Sequence, residues 1–191
     1  MTSTGSYKNR NKPLPEHKTR YKQGYFTVPE QFQHKYVGDL NNIIYRSSLE
    51  YKFLLYCSYN PNITKFGSEI VHVKYLNPVA NLKYNKQHGL SNTNPRNWKL
   101  CNYWIDFWVE VQKADGTVKK ILVEIKPHAE TLPPKPTSDK ARIKNRRAFI
   151  RQSKIFLENK AKWQAADKWA NENGMEFKVV TDKIMKEMGI L

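Results

Sequence analysis

Apolar positions recur along this chain with two different periods, and together they outline a sequence of elements. Leu49, Phe53 and Cys57 fall at i, i+4 and i+8 behind Ser47 and Ser48, which predicts a helix starting at one of those serines, running to about Ser58 and ending before Pro61. Ile70, Val71, Val73 and Tyr75 predict a strand within 64–76. The polar, Asn-rich stretch 77–102 then reads as a long loop, of a length that is usually functional or mobile. Alternation resumes over 103–112 and 118–126, two strands around Ala114-Asp115-Gly116. Pro127, Pro133, Pro134 and Pro136 mark a linker over 127–138, and a basic helix is expected over 139–171, with Phe149, Phe156, Trp163 and Ala170 repeating on its packing face. Gly174 reads as its C-cap, 176–180 as a last strand, and 183–188 as a short helix begun by Thr181 or Asp182. Residues 1–40 are polar and basic, and Pro13, Pro15 and Pro29 break any helical period. They read as an extended N-terminal arm ahead of a folded domain over 41–191.

The turn between the two central strands decides which side chains share a face, because a shift of one residue sends every side chain to the other side. A two-residue loop would put Asp106 opposite Ile125, away from Glu124 and Lys126. A three-residue Ala114-Asp115-Gly116 loop, a type I turn with Gly116 left-handed, instead sets Asp106 against Glu124 and Glu110 against Lys120 as a cross-strand ion pair. This second register also gathers Ile105, Phe107, Val109 and Val111 with Ile121, Val123 and Ile125 on one side, the expected core. The opposite side carries Trp104, Asp106, Trp108, Glu110, Lys120, Leu122, Glu124 and Lys126.

Charge adds a partner to this outline. Of 191 residues, 33 are Lys or Arg and 17 are Asp or Glu, a formal net charge of +16, and such an excess calls for a polyanion. Net charge is +5 over 1–48, +5 over 49–126, +7 over 127–170 and −1 over 171–191, so basic segments flank the central carboxylates. Double-stranded DNA is the simplest partner. Arg142, Lys144, Arg146, Arg147, Arg151 and Lys154 give the long helix a cationic surface suited to phosphates, although a solvated helix face has the same composition. Tyr21, Tyr25, Phe26 and Tyr36 in the arm suit stacking on bases or packing on a protein partner. The two cysteines, Cys57 and Cys101, lack metal-site spacing and fit a reducing compartment. With no apolar run of membrane-spanning length and no secretory signal, the chain is expected to be soluble and intracellular.

Alternating charge on a half-covered hairpin is ordinary. Two neighbouring carboxylates, however, repel unless a cation lies between them, and hard oxygen ligands favour Mg²⁺ over zinc. The ammonium of Lys126, one pleat beyond Glu124, is placed to orient an attacking water or to stabilise charge on a phosphate. Glu69 reads as a further ligand or a strand-edge charge. His72 and His128, isolated in a strand and a linker, read as structural.

Ile105-Asp106, a hairpin, then Val123-Glu124-Ile125-Lys126 resembles the bipartite motif of PD-(D/E)xK nucleases, and the order helix, three strands, helix, strand resembles their αβββαβ core. Within that superfamily the chain resembles TnsA-type transposon endonucleases and the head-completion nucleases of T-even phages. The likeness runs over most of residues 20–135 through Val37-Gly38-Asp39, Tyr45-Arg46-Ser47-Ser48-Leu49-Glu50, Asn60-Pro61-Asn62, Gly67-Ser68-Glu69, Asp106-Phe107 and Glu124-Ile125-Lys126-Pro127. The resemblance implies an α/β, restriction-endonuclease-like mixed sheet. It implies Mg²⁺, replaceable by Mn²⁺, on Asp106, Glu124 and the Ile125 carbonyl, with Glu50 adding a carboxylate and Lys126 assisting the nucleophilic water. It also implies trimming of packaged DNA before tail attachment, with phage portal or neck proteins as partners. Glu50 has a second reading, because Ser47-x-x-Glu50 is a capping box in its own right. The competing function is a DNA-binding or neck-assembly protein without catalysis. Ile105 stands where these nucleases often carry proline, and the loop at 77–102 looks inserted.

Overall fold

The computed structural model describes residues 22–136 and 143–191. In chain order its elements are β1 (Gly24–Tyr25), β2 (Ile44–Tyr45), α1 (Ser48–Tyr59), β3 (Ile63–Ser68), β4 (His72–Leu76), α2 (Pro78–Gln87), β5 (Leu100–Trp104), β6 (Phe107–Gln112), β7 (Val118–Lys126), α3 (His128–Thr131), α4 (Ile143–Glu172), β8 (Glu176–Thr181) and α5 (Asp182–Glu187). The central sheet has the order β3-β6-β7-β8, antiparallel except for the parallel β7–β8 pair. The fold is thus the mixed α/β architecture expected. None of the described helices is long and apolar enough to cross a membrane.

Each face of the sheet has its own core. On one, Phe107, Val109, Val123 and Ile125 meet Phe53, Leu54 and Cys57 of α1 and Met185 of α5. On the other, Leu122 lies with Ala166 and Ala170 of α4 and with Val73, Tyr75, Tyr103 and Ile105 from the β4–β5 ribbon. Residues 122–125 of β7 are all buried, which makes β7 the centre of the molecule.

The hairpin register is the one read from the sequence. Phe107 pairs with Val123, Glu110 with Lys120 and Gln112 with Val118. Gly116 has φ 81 and its N–H donates to Lys113 O at 2.9 Å. The expected Glu110–Lys120 ion pair is replaced: Glu110 Oε1 accepts the Thr64 hydroxyl at 2.8 Å.

Several expectations need correction. The strand expected within 64–76 is two strands, β3 and β4, and 103–112 is likewise split into β5 and β6. The two breaks face each other: Glu69 N–H donates to Asp106 O at 2.9 Å and Ile105 N–H donates to Val71 O at 3.0 Å. Ser68 pairs with Phe107 and His72 with Trp104, so three residues stand against two, a bulge in which Glu69 adopts φ 48. The extra residue inverts the pleat. Ile105 therefore points into the α4-side core, while Phe107 and Val109 point into the other, and the single face expected for 105, 107, 109 and 111 does not exist.

The stretch 77–102 is not a loop. Asn77 caps α2 by accepting from Ala80 N–H, Pro78 follows at its first position, and the segment ends by entering β5. The apolar period is absent because α2 buries Asn81 and Asn85 instead. Asn81 spends its amide on the backbone, donating to Lys99 O at 3.1 Å and accepting from Lys99 N–H at 2.8 Å. The linker over 127–138 contains the short α3. On α4 the buried residues are Asn159, Ala166 and Ala170; Phe149, Phe156 and Trp163 are only half-buried. Residues 22–40 of the expected arm belong to the fold, with Phe26, Val28 and Tyr36 in the core, so neither Phe26 nor Tyr36 is available to bases or a partner. Tyr25 is exposed. Residues 1–21, including Tyr21, and 137–142, including Arg142, lie outside the described residues.

Candidate active site

The bulge and the edge of β7 together shape a cavity of about 650 Å³. It is lined by Glu50 from the first turn of α1, Glu69 and Asp106 from the bulge, Glu124, Ile125 and Lys126 from β7, and Glu158 and Lys162 from α4. The four side chains expected to form a site, Glu50, Asp106, Glu124 and Lys126, are therefore brought to one place from the first turn of α1, the bulge and β7.

The pleat inversion and the hairpin register set Asp106 beside β7, where its Oδ2 accepts the Ile125 N–H at 2.8 Å. Glu124, buried under α4, has both oxygens held: Lys126 Nζ lies 3.1 Å from Oε1, and the Tyr103 hydroxyl donates to Oε2 at 2.7 Å. Glu50 is the third residue of α1, where it forms the capping box and also lines the cavity. Its N–H donates to Ser47 Oγ at 3.1 Å, its Oε1 accepts the Ser47 hydroxyl at 3.0 Å, and its Oε2 accepts the Arg46 N–H at 2.7 Å. The cap fixes the rotamer that turns this carboxylate toward the cavity.

Electrostatics tie the groups into one unit. Asp106 titrates well above the ordinary carboxylate range, first because the cavity desolvates it and then because Glu124 and Glu50 repel its charge. Burial also raises Glu50, against the opposing pull of the Arg46 N–H, Ser47 and Lys126. Burial pushes Lys126 downward, but Glu124, Asp106 and Glu50 outweigh it and leave the ammonium above its ordinary value. Counting ionised side chains, the lining carries Glu50, Glu69, Asp106, Glu124, Glu130 and Glu158 against Arg46, Lys126 and Lys162, a formal charge of −3.

A cation would fit such a donor set. The oxygens are hard, Asp106 titrates high because it is desolvated and faces Glu124 and Glu50, and each carboxylate oxygen keeps a lone pair beyond its present hydrogen bond. The carboxylates are not already drawn into a cage. Among the described residues no three His, Cys, Asp or Glu side chains are gathered tightly enough to enclose an ion.

The other candidates separate clearly. Glu69 lines the cavity but is engaged by Arg46 at 3.2 and 3.3 Å. His72 is exposed and stacks on Trp104 at 4.7 Å. His128 opens α3, its N–H donating to Asp182 Oδ1 at 2.6 Å, and does not line the cavity. Lys144, Arg146, Arg147, Arg151 and Lys154 lie on exposed turns of α4, outside the cavity lining. Three contributors escaped the sequence reading: Tyr103, Glu158 and Lys162. The only available signal for Tyr103 was its two-residue spacing from Ile105, with which it shares the α4-side core. Tyr103→Phe keeps the buried ring but removes a donor from a buried carboxylate, and is expected to cost about 2 kcal/mol of stability in chemical denaturation.

A mixed sheet that presents paired carboxylates and a lysine in one cleft is the arrangement expected of an endonuclease. Comparison with known proteins agrees: the family model described as TnsA-like endonuclease N terminal matches residues 60–182. The chain is also 30% identical over 163 residues to the Head completion nuclease of Enterobacteria phage T4, covering 85% of this chain and 93% of that protein. The chain belongs to the TnsA-like endonuclease family. The matched segment contains Asp106, Glu124 and Lys126, while Glu50 precedes it.

Proposed function

We propose that this protein is a PD-(D/E)xK-type endonuclease that hydrolyses phosphodiester bonds of double-stranded DNA with Mg²⁺, trimming packaged DNA as a phage head is completed. The observation that carries this reading is the excess of carboxylates around a desolvated Asp106, which makes the cleft hostile to a polyanion until a cation enters. Asp106, Glu124 and the Ile125 carbonyl would hold the ion, with Glu50 as an added carboxylate and Mn²⁺ as a possible substitute. The ion would supply Lewis-acid polarisation of the phosphate and a more acidic bound water.

The protein groups do the rest. Tyr103 and Lys126 fix the two oxygens of Glu124, the Ile125 N–H fixes Asp106, and Ser47 with the Arg46 N–H fixes Glu50. Lys126 holds a positive charge where the attacked phosphate gains negative charge. Lys144, Arg151 and Glu158 are seven residues apart along α4 and so share one face, about 10 Å per step. Because Glu158 lines the cavity, that face leads a DNA backbone toward the cleft. Arg147 and Lys154 flank it, and Arg146 lies on the far side of the helix. Arg142, outside the described residues, is proposed as a further phosphate contact on the strength of the sequence. The role in head completion rests on the similarity to the phage T4 nuclease, and with it we propose the host cytoplasm or the virion as the protein's location and portal or neck proteins as its partners.

The test is incubation of the full chain with linear double-stranded DNA. Cleavage with Mg²⁺, its loss on adding EDTA and its return with excess Mg²⁺ or Mn²⁺ are expected. Binding without cutting would favour a structural neck protein, and cutting that ignores EDTA would remove the metal from the mechanism.

A further inference from the structure

We propose that Lys162 is a second phosphate ligand of the cleft, held ready by Glu158 until a DNA phosphate displaces that carboxylate. This assignment rests on the nuclease reading and extends its machinery from the hairpin to α4.

Lys162 enters the cavity from the helix side, opposite the strand that supplies Lys126. Its Nζ lies 2.8 Å from Glu158 Oε1 and 5.8 and 5.7 Å from the ring centroids of Tyr75 and Tyr103. Tyr103 is the residue whose hydroxyl holds Glu124, so the ammonium sits one ring away from the catalytic carboxylates. The Tyr75 hydroxyl also reaches Glu158, at 3.5 Å, and accepts the Asn77 side-chain amide at 3.1 Å. Both members of the ion pair are thereby oriented from the β4–β5 ribbon as well as from their own helix.

The three cations of the cavity differ in what they can give up. Lys126 is committed to the buried Glu124, and Arg46 is gripped by Glu69 through two nitrogens. Lys162 faces a carboxylate that is itself one-third exposed, at the mouth of the cavity. An i,i+4 pair with that exposure is weak, so losing it costs little, and a DNA phosphate offers the same ammonium a charge-assisted bond together with the release of condensed counterions. Exchange of Glu158 for phosphate is therefore favourable, and it returns the carboxylate to water. The pair Lys168–Glu172 has the same spacing on the same helix but is 3.9 Å apart, largely exposed and absent from the lining of this cavity. It is the natural control.

The experiment measures binding of a short labelled duplex, with Ca²⁺ in place of Mg²⁺, and steady-state cleavage with Mg²⁺. It uses wild type, K162A, K162R, E158Q and E158Q/K162A, beside K168A and E172Q, with thermal unfolding of each. K162A is expected to weaken binding and raise KM roughly tenfold with a much smaller change in kcat, and to lower the salt dependence by about one ion. K162R retains most affinity. E158Q tightens binding, and this gain disappears when Lys162 is absent. K168A and E172Q, with the same charge changes, shift binding far less. Additive effects of E158Q and K162A would reduce the pair to a diffuse field and overturn the assignment, as would a K162A loss no larger than that of K168A. Both outcomes leave a cleaving wild type intact. A wild type that neither binds nor cuts DNA sinks the nuclease reading and this assignment with it.

Discussion

Asp106→Asn is expected to lower the rate of DNA cleavage by about three powers of ten while making the metal-free protein more resistant to heat. Asparagine keeps the size of the side chain and an oxygen that can accept the Ile125 N–H. It removes the charge that would bind the metal, and Lewis-acid activation contributes several kcal/mol, each 1.36 kcal/mol being tenfold in rate. The stability effect has the opposite sign because the folded protein holds Asp106 well above its ordinary pKa, through burial and then through Glu124 and Glu50. A carboxyl raised on folding favours the folded state fully only at pH below its unfolded pKa. That benefit is lost as pH rises through the folded value, so the ionised group strains the protein at neutral pH. Melting curves in EDTA should show wild type losing stability as pH rises through that folded value, and Asp106→Asn losing less. Equal slopes for the two proteins, or full activity in the variant, would remove Asp106 from the site. The exchange of stability for activity is the usual signature of a group kept for function.

The same residues explain which parts of the molecule the sequence disclosed. Alternation with an Asp-Gly turn was enough for the hairpin register, because only the three-residue loop puts Phe107, Val109 and Val111 on the same side as Ile121, Val123 and Ile125. Ser47 and Glu50 disclosed the start of α1, because a capping box is local chemistry. The bulge left no local mark. Glu69 is neither glycine nor asparagine, yet it takes φ 48, a conformation maintained by contacts from afar: Arg46 on its carboxylate and the Asp106 carbonyl on its N–H. For that reason the faces of Ile105 and Tyr103 were illegible, and with them the hydroxyl on Glu124. Helix α2 was hidden for another reason, since it packs through asparagine amides and leaves no apolar period. Glu158 and Lys162 were indistinguishable from Lys168 and Glu172 until the helix was laid against β4 and β5.

The bulge is also what converts a hairpin into a site. In an unbroken strand Asp106 would alternate with its neighbours on one continuous face. With three residues facing two, it lies where the pleat reverses, and its carbonyl and carboxylate are both tied down, to the Glu69 and Ile125 N–H groups. Bulges next to active sites commonly re-aim a side chain in this way. Placement at a strained junction costs stability locally, and two packed cores on either side of β7 hold it in place.

Lys126→Ala should reduce the cleavage rate by about a hundredfold to a thousandfold, the scale seen when one preorganised donor to developing charge is lost. Unlike Asp106→Asn, it should also destabilise the metal-free protein, by about 3 kcal/mol, because it leaves the buried Glu124 without its cation. Burial pushes the Lys126 ammonium down, but Glu124, Asp106 and Glu50 together hold it above its ordinary range. A lysine raised on folding contributes stability in full below its unfolded pKa of about 10.4 and loses it only as pH rises through the higher folded value. Through the neutral range the residue is therefore a fixed cation, unable to take a proton from water. Its contribution is charge and position. Two measurements separate that role from a general base. The stability gap between wild type and Lys126→Ala in denaturant should not close between pH 6 and pH 9, a range below the unfolded lysine pKa of about 10.4. Lys126→Arg should keep the stability and part of the rate, since the charge survives with altered reach. A gap that closes as pH rises through neutrality would show that Lys126 loses its proton there, and would return it to the role of base.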